Sequence, residues 1–298
     1  MRPGRAQVTS PHPICGIPEV AHENFSTVVA VLCARWNRRF RRGNVGFWLA
    51  PIPGQLREET VTGRPHNDLL RQLSHQDFEL LAPYLQPVEV EASQILHHAG
   101  DAVTAIHFPC GSTLVSFAVP VEDDREVESL LVGREGAVGV AAGRSPSLTY
   151  SRIVVKLGGT LVRLPRRSLE QAQQRSAVLQ EVFSRYADYQ FAQLLQTAAC
   201  NAAHSIEQRA ARWIISTQER IGRAEIPLTH EQLASMLGVS RSYASRVIQM
   251  FKARRILATR RGAILILDAA ALDARACRCN DWVKKHFDEV LGAATDGG

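Results

Sequence analysis

The stretch LTHEQLASMLGVSRSYASRVIQMFKARRI, which starts at Leu228, constrains this chain more than any other. It reads as two short helical patterns with Gly238 between them. Thr229 followed by Gln232 is a capping box, which satisfies two orphan backbone N–H groups at a helix start. Leu233, Ala234 and Leu237 form the apolar face of the first helix. Gly238 supplies the backbone freedom that ends a helix sharply, and Ser240 caps the next one. On a wheel of about 100° per residue, positions 241, 245, 249, 242 and 246 of the second helix span roughly 140°. All five are Arg, Ser or Gln. Val247, Phe251, Ala244 and Ile248 fall on the opposite side. One face docks on the protein, and the other offers guanidinium, hydroxyl and amide groups.

A merely solvated face mixes acids with bases. This segment has no acid between Glu231 and Asp268, while Arg241, Arg246, Lys252, Arg254, Arg255, Arg260 and Arg261 are all basic. Like charges gathered this way repel unless a polyanion neutralises them. A helix that enters the DNA major groove N-terminus first presents Ser240, Arg241, Ser242, Tyr243, Ser245 and Arg246. Arginine is the residue whose fork matches guanine O6 and N7. The continuation ILATRRGAILILD predicts a two-stranded wing with Arg260 and Arg261 at its tip, set to meet phosphate. The seven cations are expected to form one exposed ridge shaped to enter a duplex.

The rest of the 298 residues is ordinary in hydrophobic content (45%) and charge (21%), enough for a core without staples. The net charge of +6 permits a polyanionic partner without requiring one. Residues 1–64 hold nine Arg against four Glu and are punctuated by Pro3, Pro11, Pro13, Pro18, Pro51 and Pro53. They read as a basic, poorly ordered extension, with a nucleic-acid-touching arm and a true start at Val61 as the alternatives. From Asn67, NDLLRQLSHQDFELLAPYL predicts two short helices, the second capped by Ser74. From Val88 to Leu164, short Val/Ile/Leu runs alternate with Gly-containing turns, which favours a compact antiparallel barrel or sandwich.

A helical zone follows from Arg167 to Ile221, with a break near residues 200–205. Leu179, Val182, Phe183, Tyr186, Tyr189, Gln190 and Leu194 fall near heptad spacing. Such a stripe can pack on its own barrel. So long a stripe after a closed barrel more often meets a partner helix, so these seven are expected at a parallel homodimer seam.

Cys277-x-Cys279, near His286, lies in a helical pattern, where positions two apart point about 200° away from each other. Cys279 is expected to be a small buried hydrophobe and Cys277 to lie elsewhere; no metal site is expected. Cys200 and His204 read as part of a hinge packed by small residues. No GxSxG, HExxH or phosphate-binding glycine loop occurs, so no enzyme is expected. The run Phe25 to Ala34 is too short to span a bilayer, and its basic cluster follows it, the reverse of a signal peptide. With cysteines that form no dense framework, these features predict a cytoplasmic chain without membrane contact.

The order of parts, a Gly-punctuated β-roll, a long helix, LTHEQLASMLGVSRSYASRVIQMFKARRILA and a small wing, resembles the Crp/Fnr family of bacterial transcription regulators. The resemblance runs from about residue 67 to 270. It implies an α+β fold: an antiparallel β-roll or jelly-roll sensor of the cyclic-nucleotide-binding type (67–170), a long dimerisation helix (171–200), a winged helix-turn-helix (204–270) and a C-terminal helix and tail (271–298). It implies a homodimer on a palindromic operator, with double-stranded DNA, RNA polymerase and a small-molecule effector as partners. Arg241 and Arg246 match positions that contact operator bases and neighbouring phosphate. At Ser242 many relatives carry Glu, which reads cytosine. The sensor departs from the cyclic-nucleotide pattern: Gly139 is followed by Val140 instead of Glu, Arg144 comes early, and Arg152 follows serine instead of preceding it. Gly139 and Arg152 remain the effector candidates, with no cyclic nucleotide and no iron–sulfur cluster expected. The rival reading is a small-molecule-binding module whose basic helix docks a protein.

Overall fold

The computed structural model describes residues 63–122, 125–140 and 148–292. The expectations for residues 1–62 and for Arg144 lie outside them.

Two short helices open the described chain, α1 (Asp68–Gln72) and α2 (His75–Leu81). The Asn67 side chain caps α1 and Ser74 caps α2, accepting from the Asp77 amide at 3.0 Å. Seven strands follow: β1 (Gln86–Val90), β2 (Ile95–His97), β3 (Ala105–Pro109), β4 (Leu114–Pro120), β5 (Glu126–Val132), β6 (Arg152–Leu157) and β7 (Gly159–Pro165). They pair antiparallel into two sheets, of order β1-β7-β3 and β2-β6-β4-β5. Val90, Val115, Leu130, Val132, Ile153, Val155 and Leu161 form the core of this roll. The short Val-rich runs read from the sequence are these strands.

The helical zone divides into α3 (Arg166–Arg175), α4 (Ala177–Ala203) and α5 (Ile206–Ile221). Ser176 separates the first two; its hydroxyl accepts from the Leu179 amide and restarts the helix. Ser205 with Gln208 forms a capping box that opens α5. At 27 residues α4 is about 40 Å long.

The expected dimer stripe faces its own chain. Leu179, Val182, Phe183, Tyr186 and Tyr189 are buried in one cluster with Ile106, Phe108, Val162 and Leu164 of the roll. Leu179 is 0% and Tyr186 1% exposed. The Tyr186 hydroxyl accepts from the Ala137 amide at 2.8 Å and donates to the Ala137 carbonyl at 3.0 Å, which the half-buried Gln190 side chain also reaches. Of the seven, only Leu194 is exposed. The heptad signal was real, but periodicity does not say which neighbour an apolar stripe meets. The helix carries a second stripe: Phe191 is 61% and Leu195 56% exposed.

After α5 come β8 (Glu225–Ile226), α6 (His230–Leu237), α7 (Arg241–Ala253), β9 (Leu257–Arg260) and β10 (Ala263–Ile266). The wing is three-stranded, of order β8-β10-β9; the β8 strand is too short for any sequence pattern to reveal. Helices α8 (Ala269–Asp273) and α9 (Cys279–Leu291) complete the described chain. Val283 and Phe287 of α9 pack against the α4 cluster, and the Phe287 ring lies 4.8 Å from that of Tyr189. No helix among the described residues is long and apolar enough to cross a membrane.

Candidate nucleic-acid interface

The local chemistry of residues 229–241 sets the angle between α6 and α7. Thr229 and Gln232 make the capping box of α6. Gly238 ends the helix in the left-handed region, at φ 67° and ψ 34°. Side chains adopt that conformation only at a cost, which is why glycine stands there. Ser240 then caps α7 by accepting from the Tyr243 amide.

Val247, Ile248 and Phe251 bury one face of α7 in a core shared with Leu233, Leu237, Trp213 and Ile264, and Ala244 on the same face is also buried. Ser240, Arg241, Ser242, Tyr243, Arg246 and Gln249 stand exposed on the other. Ser245 is half-buried, its hydroxyl 2.9 Å from Nδ1 of His230. Burial, followed by Arg241 and Lys252, holds the His230 imidazole below its ordinary pKa, so at neutral pH it is an uncharged partner for that hydroxyl. The Arg246 guanidinium lies 4.9 Å from the centre of the Tyr243 ring, a cation–π arrangement that orients it along the helix surface. Arg260 and Arg261 are exposed at the turn of the wing, where Gly262 takes a φ of 75°.

The ridge is less purely cationic than the sequence window suggests. Glu231 stands 3.7 Å from Arg241, Glu225 3.3 Å from Arg260, and Glu207 2.9 Å from Arg254. The last also holds Arg275, so Arg254 is engaged away from the ridge, and Lys252 is half-buried. The three acids come from outside the acid-free segment, and contacts across the fold bring them in. The pairs at Arg241 and Arg260 are well exposed, and pairs of that kind contribute little, ~0–1 kcal/mol, so a phosphate can displace them.

In the roll, Gly139 takes a φ of 85°, and a Cβ there would lie 2.6 Å from the Ala105 carbonyl oxygen. Its glycine is thus required by backbone packing. Arg152 on β6 is ion-paired with Glu126 on β5. The Glu126 carbonyl in turn accepts from the Ser235 hydroxyl of α6 at 3.3 Å, so an effector candidate stands two contacts from the helix-turn-helix.

The cysteines depart from expectation. Cys277 lies in the turn before α9, so the helical argument that separated it from Cys279 does not apply. Cys200, His204, Cys277 and Cys279 converge, with all four ligand atoms within 4.8 Å of one another.

A roll of two antiparallel sheets, a long helix and a winged helix with a cationic outer face make up the described chain. Residues 208–275 match the Crp-like helix-turn-helix domain. A transcriptional regulator of the crp/fnr family from Eubacterium rectale superposes with a TM-score of 0.54 at 18% identity, covering 70% of this chain and 98% of its own. FixK2 from Bradyrhizobium japonicum gives 0.57 at 12% identity, covering 65% and 98%. The c-di-GMP responsive global regulator CLP from Xanthomonas campestris gives 0.55 at 16%, covering 65% and 99%. No curated protein matches in sequence. The chain thus carries a Crp-like helix-turn-helix domain over residues 208–275 and shares the fold of solved Crp/Fnr regulators.

Proposed function

We propose that the chain works as a homodimer that binds a two-fold-related operator through α7 and is controlled by a small molecule sensed in the roll. The observation that carries this reading is the first turn of α7, where Arg241, Ser242, Tyr243 and Arg246 project from a buried apolar face into solvent. Arg241 and Arg246 read base edges; Ser240 and Ser242 reach base or phosphate. Ser245, turned toward His230, sets the geometry of the helix pair. Arg260 and Arg261 hold phosphate.

The seam between two copies is the second stripe of α4. Leu194, Ala187, Ala198, Phe191, Ala202 and Leu195 fall in that order around the wheel within roughly 100°. All are exposed except Ala187, which is half-buried. The spacing is that of a coiled-coil seam. A two-fold axis along it presents two α7 helices to successive major grooves, with half-sites about 34–36 Å apart. RNA polymerase is the expected further partner and the cytoplasm the expected place of action.

Cyclic dinucleotides are the first effectors to try, since CLP responds to c-di-GMP. Arg152 is then the residue to follow, because its pair with Glu126 is exchangeable for a phosphate. The decisive experiment selects bound DNA from a random pool at physiological salt, then titrates salt. Arg246→Ala should cost ~1–3 kcal/mol on the selected site and relax preference at one position. Arg261→Ala should weaken all sequences and reduce the salt slope by about one unit. Equal losses on every sequence for both variants would refute the division of roles. Absence of any sequence preference would favour the protein-docking alternative.

A further inference from the structure

Two pairs remote in sequence meet where α4 ends. Cys200 and His204 belong to its last turn and C-cap, and Cys277 and Cys279 lead into α9. The Cys200 and Cys277 sulfurs are 3.5 Å apart, and the Cys279 sulfur is 3.6 Å from Nδ1 of His204. The three thiols are buried and His204 is half-buried. A tetrahedral ion with bonds of about 2.3 Å to sulfur and 2.0–2.1 Å to nitrogen spaces its ligand atoms about 3.5–3.8 Å apart. The Cys200–Cys277 and Cys279–His204 pairs already stand at that spacing, and with all four ligand atoms within 4.8 Å of one another a small inward shift completes the shell. A disulfide would use two of the thiols and leave the third and the imidazole without a role. A multi-iron cluster sets two or more irons and bridging sulfides between its ligands, which spreads them wider than one ion does.

We propose that Cys200, His204, Cys277 and Cys279 form a closed site for one thiolate-preferring divalent cation, zinc foremost. Binding releases one proton from each of three thiols to solvent, and the imidazole binds neutral. The occupied site then carries 2 − 3 = −1 charge. Buried charge of this sign needs a counter-ion, and two stand by. Arg209 and Arg212 of α5 are both buried and within electrostatic reach of the Cys200 thiol. Among the described residues neither is ion-paired with a carboxylate, and Nε of both lacks a hydrogen-bond partner. Arg212 also reaches Asn280, next to Cys279. Arg209 donates to the Leu237 carbonyl at 2.8 Å and Arg212 lies 4.7 Å from the centre of the Trp213 ring, contacts that leave their charge unneutralised, and an anionic metal–thiolate centre would supply the missing counter-charge.

The consequence is mechanical. The ion fastens α9 to the joint between α4 and α5, where the chain passes from the long helix into the DNA-binding domain. Zinc supply, or oxidation of the thiolates, then sets how stiff that joint is.

The full chain, purified under reductant without added metal, should carry one zinc per chain by elemental analysis. After chelation it should take up one Co²⁺ with the absorption of a tetrahedral thiolate complex, a readout that needs no variant. Cys277→Ser should weaken zinc, in competition with a chromophoric chelator, by more than the roughly 10–100-fold typical of losing a supporting contact. The double variant Cys15→Ser/Cys33→Ser should retain the ion. Zinc removal should raise hydrogen exchange around residues 200–206 and 274–281. Failure of the wild-type chain to bind Zn²⁺ or Co²⁺ would overturn the proposal. So would full retention in Cys277→Ser, or a Cys200–Cys277 disulfide in anaerobically prepared protein. DNA binding is read separately, so either result leaves the proposed function to its own test.

Discussion

Acid should loosen the β-roll, and His107 carries the effect. This residue on β3 is buried, its Nδ1 has no hydrogen-bond partner, and its ring stands edge-on to that of His97 at 5.4 Å. Burial first, then His97 and Arg163, push its pKa down from 6.5 to about 4. The unfolded chain thus binds a proton near pH 6.5, which the folded chain refuses until about pH 4. Stability from this group is present above pH 6.5 and lost as pH falls toward 4. At pH 5 the unfolded imidazole is mostly charged and the folded one mostly neutral. With ~1.36 kcal/mol per pKa unit, the loss between pH 7 and pH 5 is about 2 kcal/mol. The assay is urea unfolding of the full chain at both pH values and fixed protein concentration, beside His107→Gln, which cannot titrate. Wild type should lose about 2 kcal/mol more than the variant over that interval. Equal losses would refute the reasoning and show that water reaches the imidazole in the native roll.

Three further outcomes follow from single contacts. Tyr186→Phe should destabilise by about 2 kcal/mol, because it orphans the buried Ala137 amide, and hydrogen exchange there should quicken about 30-fold. Gly238→Ala should lower the thermal midpoint by about 2–4 °C; the new Cβ would meet Val127 at an ordinary 3.5 Å, so the left-handed backbone is the source of the cost. Glu231→Gln should tighten DNA binding about two- to fivefold in a low-salt titration by freeing Arg241, and a weakening would mean that Glu231 positions that arginine.

Local signals were the legible ones. The caps at Ser74, Thr229 and Ser240 and the turn at Gly238 each depend on residues within four positions, so the chain states them directly. The α4 stripe shows where such reading stops. A helix apolar on two sides offers the same period to its own core and to a partner. Only the fold assigns Leu179, Phe183 and Tyr186 to the core, with Phe191 and Leu195 left exposed, where the proposed seam would run. The cysteine cluster was hidden for a different reason. Cys200 and Cys277 are 77 residues apart. The closing helix expected to hold both Cys277 and Cys279 begins only at Cys279, and Cys277 lies in the turn before it.

The same limit applies to how the roll addresses the DNA-binding domain, since nothing near α6 in the sequence announces its neighbour. In the structure α6 lies against β5, with Ser235 on the Glu126 carbonyl and Gly238 beside Val127. Beneath it Glu128 is fully buried in a pair with Lys156. Burial raises the Glu128 pKa, while the Lys156 ammonium pulls it back. Covering a carboxylate works against docking, because solvent would relieve the desolvation that α6 helps impose. The contact that holds α6 therefore contains its own opposing force. Such an interface can be tipped by a small change at its edge, and that edge is the Arg152–Glu126 pair. On the proposed function, a ligand that takes Arg152 away from Glu126 should alter the strand on which α6 rests and so reach Arg241 and Arg246 without touching them.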